Sequence, residues 1–94
     1  MKLKNKVAIV TGSTSGMGRA TAVLFAREGA KVVISGRNEE RAKEVVNQIK
    51  SEGFEAMYVL IDTSKIDDMK VLFDKTMETY GTVDILFNNA GALS

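Results

Sequence analysis

Val7-Ala8-Ile9-Val10, followed by Thr11-Gly12-Ser13-Thr14-Ser15-Gly16-Met17-Gly18, is the stretch on which the reading of this chain turns. A continuous apolar run without polar alternation reads as a strand buried on both faces, as the strands of parallel sheets are. The turn that ends it opens directly into an amphipathic stretch. A turn this tight needs residues without Cβ, so Gly12, Gly16 and Gly18 let the backbone swing and approach a ligand closely. Unpaired N–H groups and the positive end of the helix dipole then make the helix start a site for phosphate, to which the Ser13, Thr14 and Ser15 hydroxyls can add hydrogen bonds. No lysine follows in the manner of a P-loop. The competing reading, a Gly/Ser turn with no ligand, is weakened by the strand-turn-helix context.

Three more runs of the same kind follow: Lys31 to Ser35, Ala56 to Ile61 and Asp84 to Phe87. Helical stretches separate them. Met17, Ala20, Thr21, Leu24 and Glu28 are expected along the inner edge of the first helix, which Gly29 ends. Ala42, Val45, Val46 and Ile49 recur at i, i+3, i+4 and i+7 in the second, with Asn38 as its cap and Gly53 beyond its end. Ile66, Met69, Phe73, Thr76, Met77 and Tyr80 form the stripe of the third, opened by a capping-box variant at Ser64-Lys65-Ile66-Asp67 and closed by Gly81. Met69 and Met77 read there as core filler. The order β-α-β-α-β-α-β with helical crossovers predicts an α/β fold, a doubly wound parallel sheet of strand order 3-2-1-4. The fourth strand would be an exposed apolar edge, through which self-association is expected.

Ninety-four residues allow one domain at most, or part of one. Thirteen Lys and Arg against twelve Asp and Glu give a net charge of +1, with neither sign gathered into a run, so neither nucleic acid nor a membrane is an implied partner. Lys2, Lys4 and Lys6 alternate like a frayed strand entry and read as a solvated edge. Without cysteine or histidine the chain has no disulfide, thiol nucleophile, imidazole base or usual zinc ligand set, and no metal site is expected. No apolar run is long enough for a signal-peptide core or a membrane span, which leads us to expect a cytoplasmic protein.

The glycines fall at relative positions one, five and seven, whereas the standard dinucleotide fingerprint has one, three and six. With this spacing the chain resembles the short-chain dehydrogenase/reductase family, whose Thr-Gly-x-x-x-Gly-x-Gly pattern is matched from Thr11 to Gly18. Asn88-Asn89-Ala90-Gly91 after the fourth strand and Asp62-Thr63 after the third are further matches, and the likeness is to the branch of the 3-oxoacyl-carrier-protein reductases. The resemblance implies a Rossmann-like sheet, here incomplete, with residues 1–94 as the N-terminal, cofactor-binding part of one domain and the catalytic half absent. It implies that Gly12 to Gly18 hold a cofactor pyrophosphate, with Thr14, Ser15 and the Met17 amide near the phosphates. Asp62 would accept from the adenine amino group with Thr63 beside it, and Asn89, Ala90 and Gly91 would lie along the ribose and nicotinamide. Apart from the resemblance, Asp62 reads first as a solvated turn acid. Asn88 and Asn89 read alternatively as braces that tie strand four to strand one, Asn88 mainly so.

An acid at the end of the second strand would hydrogen-bond the ribose 2′-hydroxyl of NAD and repel a 2′-phosphate. Ser35-Gly36-Arg37 offers clearance and a guanidinium instead, so NADP is expected ahead of NAD, with Arg37 as the phosphate ligand. A departure is Ser15, where many NADP-preferring relatives carry a second basic residue. The family transfers hydride between NADPH and a carbonyl or alcohol, using a serine and a tyrosine with a lysine four residues on. Tyr58 is followed at that distance by Asp62 and Tyr80 by Asp84, so both read as packing residues. No catalytic residue is assigned, and the family's own would lie beyond Ser94. The chain alone is therefore expected to be inactive, a rival reading being a non-catalytic module that binds nucleotide or pairs through its edge strand.

Overall fold

The computed structural model describes residues 1–62 and 64–89. Strands β1 (Val7–Thr11), β2 (Lys31–Gly36), β3 (Ala56–Leu60) and β4 (Ile85–Asn88) alternate with helices α1 (Gly16–Arg27), α2 (Glu39–Ser51) and α3 (Ile66–Tyr80). The strands pair in parallel in the order β3-β2-β1-β4, with Val7 opposite Lys31, Val32 opposite Ala56 and Ala8 opposite Ile85. This is the doubly wound, Rossmann-like α/β sheet expected from the sequence. Strand order reverses between β1 and β4, so the carboxyl ends of those strands flank the crevice where such sheets take their ligands.

Alternate residues of β1, β2 and β3 feed two cores. On one face Ala8, Val10, Val32 and Ile34 pack under Ala22, Val23 and Ala26 of α1 and Ala42, Val45, Val46 and Ile49 of α2. On the other, Ile9, Val33, Val59 and Ile61 surround Leu72 of α3, with Met57, Met69, Phe73, Tyr80 and Val83 partly buried around them. Burying one such aliphatic side chain contributes ~1.5–3 kcal/mol.

Helix α2 follows the sequence reading: its four apolar positions are buried and the Asn38 side chain accepts from Arg41 N–H at 3.0 Å. Helix α1 does not. Met17 is 70% and Leu24 56% exposed, and the face toward the sheet is Gly18, Ala22, Val23 and Ala26. Small residues let the helix axis approach the strands, and the large apolar ones are left outside. In α3 the stripe is rotated: Leu72 and Thr76 are buried, Met69, Phe73 and Tyr80 half-buried, and Ile66 and Met77 face out, so Met77 is not core filler. Nor does Ser64 cap α3. The N-cap is Lys65, because Asp62 Oδ1 already accepts from Ser64 N–H (3.0 Å) and from its hydroxyl (2.7 Å). Residues before β1 form turns rather than a strand entry, with Lys2, Lys4 and Lys6 in solvent.

Tyr58 and Tyr80 pack as expected, their hydroxyls donating to Glu39 (3.0 Å) and Glu55 (2.8 Å). Burial, reinforced by Glu55, pushes the Tyr80 phenol well above its ordinary range, which suits a packing residue. No helix among the described residues is long and apolar enough to cross a membrane.

Candidate functional site

The turn between β1 and α1 is bolted to both neighbouring strands. Toward β2, Ser13 N–H donates to Ser35 O (3.0 Å), the Ser13 hydroxyl donates to Val10 O (2.6 Å) and accepts from Ser35 N–H (2.9 Å), and the Ser35 hydroxyl donates to Val10 O (3.1 Å). Ser13 is fully buried, so its hydroxyl braces the turn from inside and is not the phosphate donor the sequence allowed. Toward β4, Thr11 Oγ1 donates to Asn88 Oδ1 (2.8 Å) and accepts from Asn89 N–H (3.0 Å), while Asn89 Nδ2 donates to Gly12 O (3.4 Å). Asn88 is the brace expected of it. Asn89 braces as well, the alternative that its place after the fourth strand also offered.

Gly12 and Gly16 take left-handed φ values of 61° and 59°. That is the backbone region where a side chain is strained. Gly18 answers a different need: a Cβ there would run into the Gly12 carbonyl oxygen and stand 3.0 Å from Asn89 Nδ2. Between these anchors Ser15, Gly16 and Met17 are exposed, with Thr14 half-buried beside them.

The start of α1 differs from the other two helix starts. Ser15, its N-cap, makes no side-chain cap bond, and no acidic residue lies in the first turn. Helix α2 has its Asn38 cap together with Glu39 and Glu40, and α3 has Asp67 and Asp68. The positive end of the α1 dipole is thus left uncompensated by the chain's own groups. A glycine turn, exposed Gly16 and Met17 in the first helical turn and an N-cap hydroxyl that caps nothing suit the diphosphate of a dinucleotide.

Arg37, at the end of β2, is exposed, and no carboxylate among the described residues lies within ion-pair distance of it. Asp62 is half-buried at the end of β3. The two Ser64 hydrogen bonds, helped by the fields of Arg37 and Lys65, hold its carboxyl below the usual carboxylate range. The sheet therefore brings the glycine turn, Arg37, Asp62 and Asn89 to the carboxyl ends of its four strands. Thr63, Ala90 and Gly91 lie outside the described residues. A second concavity, about 360 Å³ between α1 and α2, is lined by Gly16, Arg19, Ala20, Val23, Arg27 and Gln48. Its guanidiniums are engaged, Arg19 with Glu44 and Gln48 and Arg27 with Glu52.

Sequence reasoning missed the mutual bracing of Ser13 and Ser35 and the contact of Thr14 with Gly36, where an added Cβ would meet the Thr14 methyl at 2.7 Å. The signal available was the small pair Ser35-Gly36 directly after the branched run Val32-Val33-Ile34.

A four-stranded parallel sheet with a glycine turn at its switch point defines a Rossmann-type, dinucleotide-binding class of fold. The short chain dehydrogenase family model matches residues 6–94, and the chain belongs to the short-chain dehydrogenase/reductase family. An uncharacterized oxidoreductase of Listeria monocytogenes is 44% identical over 93 residues, which are 99% of this chain and 38% of the relative. Among solved structures, a hydroxysteroid dehydrogenase from Escherichia coli superposes with a TM-score of 0.93 at 38% identity, covering 97% of this chain and 39% of that one. A short-chain dehydrogenase/reductase from Caenorhabditis elegans, solved with cofactor, gives 0.87 at 37% identity over 92% of this chain and 33% of its own. The chain thus spans a third to two fifths of the length of these relatives.

Proposed function

We propose that this chain is the cofactor-binding part of an NADP-dependent short-chain oxidoreductase, whose reaction is hydride transfer between NADPH and a carbonyl or alcohol. The observation that carries the reading is the start of α1, the one helix among the described residues with neither a side-chain cap nor an acid in its first turn, set behind a glycine turn. In this reading the amides of Gly16, Met17 and Gly18 and the Ser15 and Thr14 hydroxyls take the diphosphate. Arg37 grips the 2′-phosphate, and Asp62 with Thr63 receives the adenine. Asn89, Ala90 and Gly91 line the ribose and nicotinamide side. The unpaired Arg37 and the absence of an acid at position 36 favour NADP over NAD.

The hydroxysteroid dehydrogenase among the similar structures favours a secondary alcohol and its ketone as the substrate pair, alongside a 3-oxoacyl thioester on a carrier protein. Within these 94 residues no tyrosine has a lysine four positions on, so the chain by itself binds nucleotide weakly at most and turns nothing over. Positioned proton transfer is worth ~10²–10⁴ in rate. A cytoplasmic location belongs to the same reading, in keeping with a chain free of cysteine.

Titration with NADP and NAD, followed by melting temperature, tests the proposal: saturation at 100 times Kd should add about 2.7 kcal/mol, with NADP acting at the lower concentration. No shift with either dinucleotide would overturn it, and turnover of NADPH with a ketone at enzyme-like rates would overturn the inactive status.

A second reading, self-association through β4, is favoured by the position of that strand at the sheet edge with Leu86 45% exposed. Sedimentation of the chain as a monomer at high concentration would count against it.

A further inference from the structure

We propose that Thr14 and Gly36 form a steric pair that sets the cofactor class, the Thr14 methyl occupying the space through which a side chain at position 36 would have to leave the backbone. The inference rests on the dinucleotide reading above and adds to it a residue that acts before any charge is considered. Gly36 is the last residue of β2 and lies opposite Leu60 of β3. It comes 20 residues after Gly16, and an acid about 20 residues beyond the glycine turn is what meets a ribose 2′-hydroxyl. Gly36 is absent from the glycines with positive φ, so its backbone conformation does not demand glycine.

What demands it is contact. A Cβ built on Gly36 stands 2.7 Å from the Thr14 methyl carbon, 3.3 Å from the Thr14 hydroxyl oxygen and 3.6 Å from the Thr14 Cβ. A β-branched side chain is stiff about χ1, and two heavy substituents on one carbon leave it little room to turn away. The backbone cannot yield readily either. Ser13, next to Thr14, and Ser35, next to Gly36, hold each other through the 3.0 Å and 2.9 Å hydrogen bonds between them. Thr14 is thereby a specificity residue for the cofactor as well as a member of the phosphate turn. An acid at position 36, the residue that would select NAD, is refused by packing before it can act by charge.

The pair is tested by a double-substitution cycle on the chain with two readouts. In the melting readout, Gly36→Ala lowers the melting temperature by roughly 5–15 °C, as overpacking does in a domain of this size. Thr14→Ser keeps the hydroxyl, removes the methyl and shifts melting little. The double variant recovers at least half of the loss. In the binding readout, Gly36→Asp alone binds both dinucleotides poorly, whereas Thr14→Ser/Gly36→Asp prefers NAD to NADP by roughly tenfold or more, the scale of one lost or gained charged hydrogen bond. The NAD-to-NADP ratio is taken within each variant, so a general loss at the phosphate turn cancels.

Additive melting shifts would overturn the pair whatever the chain binds. So would a Gly36→Asp variant that melts like the unsubstituted chain and already prefers NAD. Failure of the unsubstituted chain to bind either dinucleotide would instead overturn the nucleotide reading, and with it the pair's role in cofactor choice.

Discussion

On one face of the sheet Ala8, Val10, Val32 and Ile34 lie under two helices, whereas on the other Ile9 and Val33 lie under α3 alone. The first face is closed under α2, where every apolar position turned inward is buried, and Phe25 of α1 meets Phe87 of β4 edge to face at 6.2 Å, while Met17 and Leu24 stay in solvent on the outer side of α1. The second is open at its margins, with Ile66, Met77 and Leu86 left in solvent. The glycine turn is held among β1, α1, β2 and the end of β4 by contacts that do not involve α3. The preorganised part of the candidate site is therefore built by the better-packed half of the chain, and α3 brings mainly Asp62 and its loop.

Truncating one core side chain on each face sharpens this contrast most. Ile49→Ala, under α2, should cost about 4 kcal/mol, and Leu72→Ala, under α3, about 2 kcal/mol, because a cavity near an open margin can collapse or fill with water. Urea unfolding of the two variants reads the difference, and equal losses would erase the distinction between the faces. Next comes Gly18→Ala, expected to cost about 2–3 kcal/mol because the new Cβ meets the Gly12 backbone carbonyl, which has no rotamer to retreat into. The same variant should lose dinucleotide binding, so a stable, binding Gly18→Ala would show the turn to be looser than its contacts imply.

How much of this was legible follows from what each pattern depends on. Strand order, the Asn38 cap and the positive-φ glycines at 53 and 81 could be read because each follows from local chemistry or chain connectivity. The inner face of α1 could not. Hydrophobic size pointed to Met17 and Leu24, but a helix seated close to a sheet selects for small residues, and Ala22 and Ala26 carry the contact. The Ser64 cap failed through competition, since Asp62 captures Ser64 before the helix begins. In the candidate site, glycine spacing announced the turn, but which hydroxyls face inward depends on β2 lying beside it. Ser13 and Ser35 are 22 residues apart, beyond the reach of any local pattern.

The helix starts sharpen the same contrast at smaller scale. Asn38→Ala removes the α2 cap and should cost ~1 kcal/mol. Lys65 occupies the α3 N-cap with extended φ and ψ of −111° and 123° but no capping side chain. Lys65→Asp should therefore add roughly 0.5–1 kcal/mol, provided the new carboxylate does not draw Ser64 from Asp62. Thermal melts of both variants decide it, and a neutral Lys65→Asp would mean that Asp67 and Asp68 already satisfy that turn.

The smallest effects separate the two sides by pH. Asp62, at the entry to α3, and Glu52, at the end of α2, both have carboxyls held below their ordinary values. A depressed carboxylate stabilises the fold above its unfolded pKa, about 4 for either residue, and that stabilisation is lost as pH falls through the lower folded value. Asp62→Asn and Glu52→Gln should each lower stability slightly at neutral pH and flatten its fall below about pH 4, so that the difference from the unsubstituted chain vanishes in acid. Salt then tells them apart. Asp62 is held chiefly by the Ser64 hydroxyl and N–H, neutral donors that ions do not screen, whereas Glu52 is held by the Arg27 guanidinium at 2.7 Å and 2.9 Å on the surface. In ~1 M salt, where charges are screened beyond about 3 Å, the Glu52→Gln difference should shrink and the Asp62→Asn difference persist. If both shrink alike, the loop before α3 is held by the fields of Arg37 and Lys65 and not by its serine, and Arg37 is less free for a 2′-phosphate than its exposure suggests.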